Sequence, residues 1–497
     1  MWKVIQQMTS ETPRESEITS PRRAATGRSI IAWLVIVAVS LTIILLHVNS
    51  DDSSAGRGQQ QTVDSITDRM QGRLLVGMGS IGSGDSARMG LQGFMVGSLE
   101  HRLRGVILVG ELEGTDAARD LLMRTEVQMS EAGYEPDELQ RDLIGSLDRI
   151  YSSPPVAGDV PGGLDVPQQE QLESTLGWFG TLALHPKGRG PDPIRSLQMK
   201  DSLIVLAIMS VMGSGIVIGL FVGTVLLIVV IVLGCKRRLR HSLGSASIRD
   251  GLLAETFALW LVVFLLLQIG LQELVRQVPS LQQNALLLVG VVQGATVLAV
   301  FWPVLRGRSW ADTRRSIGWT TGPEDDGSWL RELGWGLCGY LMMLPFLAIG
   351  VLLVYVLMAI TSPVDAGTSF SSSSSPSHPI ILQVAGGSVW TIVQVYFVAA
   401  VVAPFLEETV FRGVLYRQLR SATGRWRIGW SVALSIFVVS LVFAAIHPQG
   451  LVAIPALAAI AVGLGLMREW RGSLIAPMVM HACSNGIVVT LMVLVAR

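Results

Sequence analysis

The chain has 497 residues, of which 50% are hydrophobic and 15% charged, and its mean hydropathy is +0.50. Several uninterrupted apolar runs reach the roughly 20 residues that cross a hydrocarbon core of about 30 Å, which excludes an ordinary water-soluble fold and predicts an all-α polytopic membrane protein. The 38 basic and 38 acidic residues cancel, but the charges are sorted by position, so their sum says nothing about partners; no nucleic-acid partner is expected.

Residues 1–28 form a polar tail whose Arg22, Arg23 and Arg28 precede the first apolar run. That run, 30–48, is about 19 residues long, lacks an A-x-A-like cleavage site and is followed by the polar Asn49-Ser-Asp-Asp. It predicts a signal anchor over 29–48 with its N-terminus in the cytoplasm. Residues 49–201 form a soluble insert with more acidic than basic side chains. After Pro136-Asp137-Glu138, the residues Leu139, Leu143, Leu147 and Ile150 share one helical face, and 118–129 has a similar pattern. The stretch 152–165 reads as a Pro/Gly-rich linker. Gly82-Ser-Gly84-Asp85 has the Gly-x-Gly-Asp pattern of aspartyl intramembrane proteases, but polar neighbours and the want of a second intramembrane aspartate set it aside.

Further spans are expected at 203–233, 252–271, 285–305, 335–360, 389–406, 428–446, 451–467 and 474–495. The 203–233 run is too long for a simple crossing and is expected to begin with an interfacial stretch. Spans and loops over 202–387 precede a chemistry-bearing region at 388–497. The basic loops 236–240, 306–315, 412–427 and 468–471 all fall on one side. The insert, the loop after Leu271 and the serine-rich loop 368–378 fall on the other. Nine spans with basic loops inside place the insert outside the cytoplasm, in what is expected to be a bacterial plasma membrane.

The chemistry lies in the last spans. Glu407 and Glu408 end an apolar run, and a carboxylate there is a functional-site hypothesis by default. Glu408 and Arg412 are four apart and share a helix face, so the guanidinium can hold one carboxylate ionised; Glu407 points about 100° away, free to act as a base. Phe443 and His447 are also four apart, as are His481 and Asn485. A Glu–Arg pair alone fits an interfacial helix, and His481 with Asn485 fits an interhelical hydrogen-bond pair. Together these residue types suit hydrolysis by activated water: a carboxylate base, imidazoles to hold water or metal, and an amide for an oxyanion. The three cysteines, Cys235, Cys338 and Cys483, lie in or beside apolar segments and exclude a disulfide framework or a Cys/His zinc spacing. Cys483 points away from the face of His481 and Asn485 and reads as a packing residue.

Glu407-Glu408-x-x-x-Arg412, Phe443-x-x-x-His447 and His481-x-x-x-Asn485 resemble the three motifs of the CPBP family of intramembrane proteases, which includes the type II CAAX prenyl endopeptidases and the Abi or bacteriocin-immunity proteins. The resemblance covers about 388–497 and does not extend to the insert. It implies a helical-bundle peptidase in which Glu407 or Glu408 activates water, His447 and His481 support it, Asn485 stabilises the oxyanion, and Arg412 is structural or tunes a glutamate. It implies a membrane-protein or lipidated-peptide substrate. Glu407, His447 and His481 could also supply three ligands to zinc or another divalent metal, whereas no HExxH zincin motif is present.

A geometric condition follows. By a rise of about 1.5 Å per residue, His447 lies roughly 28 Å along its span and Glu407 near the cytoplasmic face. The residues meet only if the glutamate helix continues to about Tyr416 and 447–450 turns inside the bundle, where irregular backbone is tolerated if it lines a cavity. Two other classes fit the composition: a non-catalytic scaffold or bacteriocin-immunity-type protein, and a transporter with a glutamate proton relay, for which no internal repeat is evident.

Overall fold

The computed structural model describes residues 21–51, 54–152, 159–188, 190–236, 243, 251–322, 328–361, 370 and 380–496. It is 86% helical and, among the described residues, has no strand. The polar tail before residue 21, part of the 152–165 linker, the loop 237–240 and all of the serine-rich loop except Phe370 lie outside the described residues.

In chain order the helices are α1 (Pro21–Asp51), α2 (Ser54–Ser80), α3 (Gly84–Leu91), α4 (Leu99–Leu112), α5 (Thr115–Glu131), α6 (Glu138–Ser152), α7 (Val166–Leu176), α8 (Trp178–Leu184) and α9 (Pro193–Cys235). They are followed by α10 (Leu252–Gln277), α11 (Pro279–Leu305), α12 (Trp310–Ile317), α13 (Trp329–Thr361), α14 (Ile380–Ala385), α15 (Val389–Ala422), α16 (Ile428–Ala445), α17 (Leu451–Arg471) and α18 (Ile475–Ala496). Nine of the described helical segments are long and apolar enough to cross a membrane. The chain is an integral membrane protein.

Helices α2–α8 build the insert around α4, whose Leu103, Val106 and Leu108 are wholly buried. Helix α6 starts where expected, because Asp137 Oδ1 accepts from Gln140 N at 2.8 Å and Gln140 Oε1 accepts from Asp137 N at 3.1 Å, a reciprocal cap. Leu143, Leu147 and Ile150 are buried, but Leu139 is 42% exposed: it lies in the first turn, beyond the neighbours that cover the rest of the face. Asp85 of the Gly-x-Gly-Asp sequence is fully solvent-exposed in the first turn of α3.

Within the insert, His101 Nδ1 lies 2.9 Å from Asp68 Oδ2 and its Nε2 lies 2.9 Å from Gly93 O. Both partners can only accept, so the ring donates from both nitrogens and is held as imidazolium. Burial alone would lower its pKa; the Asp68 carboxylate and the Gly93 carbonyl outweigh that, and the net direction is up. A raised folded-state pKa gives stability that is full below the unfolded value of about 6.5 and is lost as pH rises through the folded value. Thermal unfolding of the full chain at about pH 6 and about pH 8 should therefore show a loss at the higher pH that His101→Gln diminishes. An undiminished loss in the variant would assign it to other groups.

Helix α9 differs from expectation. Instead of an interfacial stretch followed by a span, it is one 43-residue helix, about 65 Å long. Pro193 opens it, and Asp192 caps it by accepting from Ile194 N and Arg195 N. Its first turns belong to the insert, where buried Gln198 donates to Trp178 O and Ser202 packs under Gly77. The same helix then runs into the membrane bundle against α13. A Cβ on Gly223 would lie 1.9 Å from Leu341 O, whereas one on Gly213 would meet nothing within 4 Å. Gly223→Ala is expected to cost about 1–3 kcal/mol by forcing these helices apart, with Gly213→Ala as the neutral control in the same unfolding assay. Equal melting of the two would show that the close approach contributes nothing.

Candidate active site

Helix α15 carries both glutamates and, as the sequence requires, runs on past them to Ala422. It is not a regular α-helix: Val398–Val402 and Glu408–Leu415 are π-helical. Pro404 accounts for the first widening. It has no N–H, so the carbonyl one wide turn earlier, Ala399 O, lacks its backbone donor; Asn485 Nδ2 donates there instead at 2.8 Å. Asn485 therefore reaches the site from α18, with one amide hydrogen holding α15 in shape.

Helix α16 ends at Ala445, and 446–450 turns back towards α17. His447 sits in that turn rather than on the helix. Its Nδ1 donates to Phe443 O at 2.5 Å, preserving the four-residue relation through the backbone. In α18, His481 Nδ1 donates to Glu408 Oε1 at 2.9 Å. Both Nδ1 atoms meet oxygen acceptors, so both rings carry hydrogen on Nδ1 and turn Nε2 towards the chamber. The two Nε2 atoms face one oxygen, Glu407 Oε2, at 3.6 Å from His447 and 3.7 Å from His481. That oxygen is buried and accepts no hydrogen bond within the chain.

Glu408 has a different setting. It is wholly buried, with Oε1 shared between His481 and Arg412 Nη1 at 3.0 Å. Arg412, also wholly buried, donates from Nη2 to Ala461 O at 3.4 Å and lies 4.5 Å above the Phe443 ring. The same ring is 4.2 Å from the His447 imidazole and 6.1 Å from that of His481. All six residues singled out from the sequence thus converge from α15, the turn after α16, and α18. Glu407 faces the open side, while Glu408 and Arg412 form the support behind it.

The open side is a chamber of about 1880 Å³. Glu407, His447, His481 and Asn485 lie at its floor, and apolar side chains such as Phe264, Val351 and Val488 form its walls. Opposite the insert, the bundle is closed by ion pairs. Glu469 accepts from Tyr416 Oη at 2.6 Å and from Arg420 at 3.0 and 3.1 Å. Arg471 bonds Glu332, and buried Arg468 donates to the carbonyls of Arg412, Ser316 and Gly472. Arg412, Arg417 and Arg468 are at most 6% exposed, so they do not belong to solvated basic loops. The i,i+4 spacing of Tyr416 and Arg420 was the only local hint.

Residues 389–487 match the family model described as Rce1-like type II CAAX prenyl endopeptidase. This segment belongs to the CPBP family. The match spans about a fifth of the chain, and the CPBP segment holds every residue of the convergent cluster. No curated protein and no solved structure matches the chain.

The donor types of Glu407, His447 and His481 suit a divalent ion. Among the described residues, however, no group of three or more such side chains is arranged to hold one.

Proposed function

We propose that the chain is an intramembrane endopeptidase that hydrolyses peptide bonds of membrane-associated proteins with water activated by Glu407. The observation that carries this reading is the meeting of the Glu407 carboxylate and two imidazole Nε2 atoms over one point of the chamber floor. With both rings neutral, a group bridging them donates hydrogen, and water does so. Glu407 takes one water proton as the oxygen attacks the carbonyl carbon, giving a tetrahedral intermediate. The second Asn485 amide hydrogen is the neutral donor for the developing oxyanion. Glu407 then returns the proton to the departing nitrogen, so that water is added across the C–N bond. Glu408, fixed by Arg412, keeps His481 in the tautomer that presents Nε2.

A non-catalytic scaffold is the second reading. It is favoured by the contacts that Asn485 and Arg412 make with backbone carbonyls of other helices, which serve packing whether or not chemistry occurs. Cleavage of a membrane-peptide library by purified full-length protein separates the two. His481→Ala is expected to lower the rate by about 10²-fold or more without loss of folded protein. Wild-type-like turnover in that variant would remove the imidazole from the mechanism. Inhibition by a chelator would bring a divalent ion into it.

A further inference from the structure

The chamber has a direction. Its lining away from the floor comes from one end of every surrounding element: Leu46 near the end of α1, Gln272 near the end of α10, Gln283 where α11 begins, Met358 near the end of α13, Gln383 in α14 and Met492 near the end of α18. All are on the side where α1 passes into the insert. The opposite end is filled by the Arg420–Glu469, Arg471–Glu332 and Arg468 contacts. The insert itself flanks this mouth, since Ile66 of α2 packs with Val384 of α14 and Val489 of α18. Phe370, in the connection between α13 and α14, lies on the insert 4.1 Å from the Arg102 guanidinium and 4.8 Å from the Tyr134 ring.

The lining also has a chemical character. No lysine or arginine among the described residues lines the chamber, and its carboxylate and imidazoles are confined to the floor. Its polar wall groups are largely glutamines, including Gln268, Gln272, Gln282 and Gln449. Uncharged amides offer both donors and acceptors, which suit the backbone of an extended peptide. They offer no charge-assisted fork for a terminal carboxylate. Glu407 is 18 residues past the start of α15, or about 27 Å from the mouth along the helix, a distance that about eight residues of extended chain cover.

Resting on the endopeptidase reading, we propose that the chamber takes an internal, uncharged, extended segment of a membrane-anchored protein, delivered from the insert side, and that it does not select a free C-terminal carboxylate. The substrate is thus a polypeptide with a flexible stretch beside its anchor on the insert face. A carboxyl terminus presented from the opposite face would meet the packed arginines.

The test is photocrosslinking to full-length Glu407→Gln protein in nanodiscs, where both faces are open and hydrolysis cannot consume the probe. The probe is a short Ala/Leu/Gln/Ser peptide with one benzoyl-phenylalanine, made as the free acid and as the C-terminal amide. Comparable yields for the two, mapped to chamber walls on α10, α13 and α18, are expected. A free acid favoured by about tenfold or more, as a charge-assisted bond would give, overturns the proposal. So do crosslinks confined to α12 or the α15–α16 turn, or none in the chamber. Wild-type cleavage is measured beside it: expected crosslinks without any turnover would sink the enzyme and leave the binding inference standing, and turnover without chamber crosslinks would do the reverse.

Discussion

Glu407→Gln is expected to lower kcat/KM on any cleaved peptide by at least about 10³-fold while leaving the protein folded. The amide has nearly the same shape and loses only the capacity to take a proton. Its carbonyl oxygen can still accept from a bridging water, so the variant keeps the chamber and the ground-state contacts. The loss should therefore appear in kcat with little change in KM, the signature of an interaction needed only in the transition state. Glu408→Gln provides the internal contrast. It neutralises the neighbouring carboxylate, which meets Arg412 and His481 rather than the chamber, and should reduce both stability and rate. If Glu407→Gln retained more than about a tenth of wild-type turnover, the base would have to lie elsewhere and the convergence of the two imidazoles on Glu407 would be a packing arrangement.

Much of this cluster was legible because helical spacing is a local property. The four-residue intervals put Glu408 with Arg412, and the depth of His447 along its span required 447–450 to turn inside the bundle. The requirement that α15 continue beyond the glutamates followed from rise per residue alone. What was not legible depends on partners far along the chain. Pro404 cannot donate to Ala399 O, but nothing local showed that Asn485, 86 residues from that carbonyl, fills the gap. The interhelical role open to Asn485 by residue type is met at that carbonyl. Arg417 and Arg468 looked like loop charges because arginine clusters next to apolar runs usually are. Their burial depends on Glu469 and on the backbone carbonyls of Ser316 and Gly472, which tertiary packing alone supplies. The interfacial start expected for α9 is instead one continuous helix with the span, tied to the insert at its head by buried Gln198 and Ser202, which meet Trp178 and Gly77 far away in the chain.

Arg412→Met is expected to be the most destabilising single change in the CPBP segment. It leaves Glu408 wholly buried with one imidazole as partner, and removing one member of a buried ion pair typically costs about 3–5 kcal/mol. The stem of methionine refills part of the volume over Phe443, so the loss measures charge more than cavity. Adding Glu408→Gln should recover a large part of that stability, because no uncompensated carboxylate remains. Thermal unfolding of the four proteins in a double-mutant cycle reads this coupling directly. Activity should not follow stability. In the double variant His481 loses the carboxylate that fixes its Nδ1 hydrogen, so kcat should stay depressed by about 10-fold or more although the fold is restored. Recovery of both together would reduce the Glu408–Arg412 pair to a structural role. A loss below about 1 kcal/mol for Arg412→Met alone would mean that Glu408 is neutral in the folded protein, and the orientation of His481 would then rest on a carboxylic acid rather than on an ion pair.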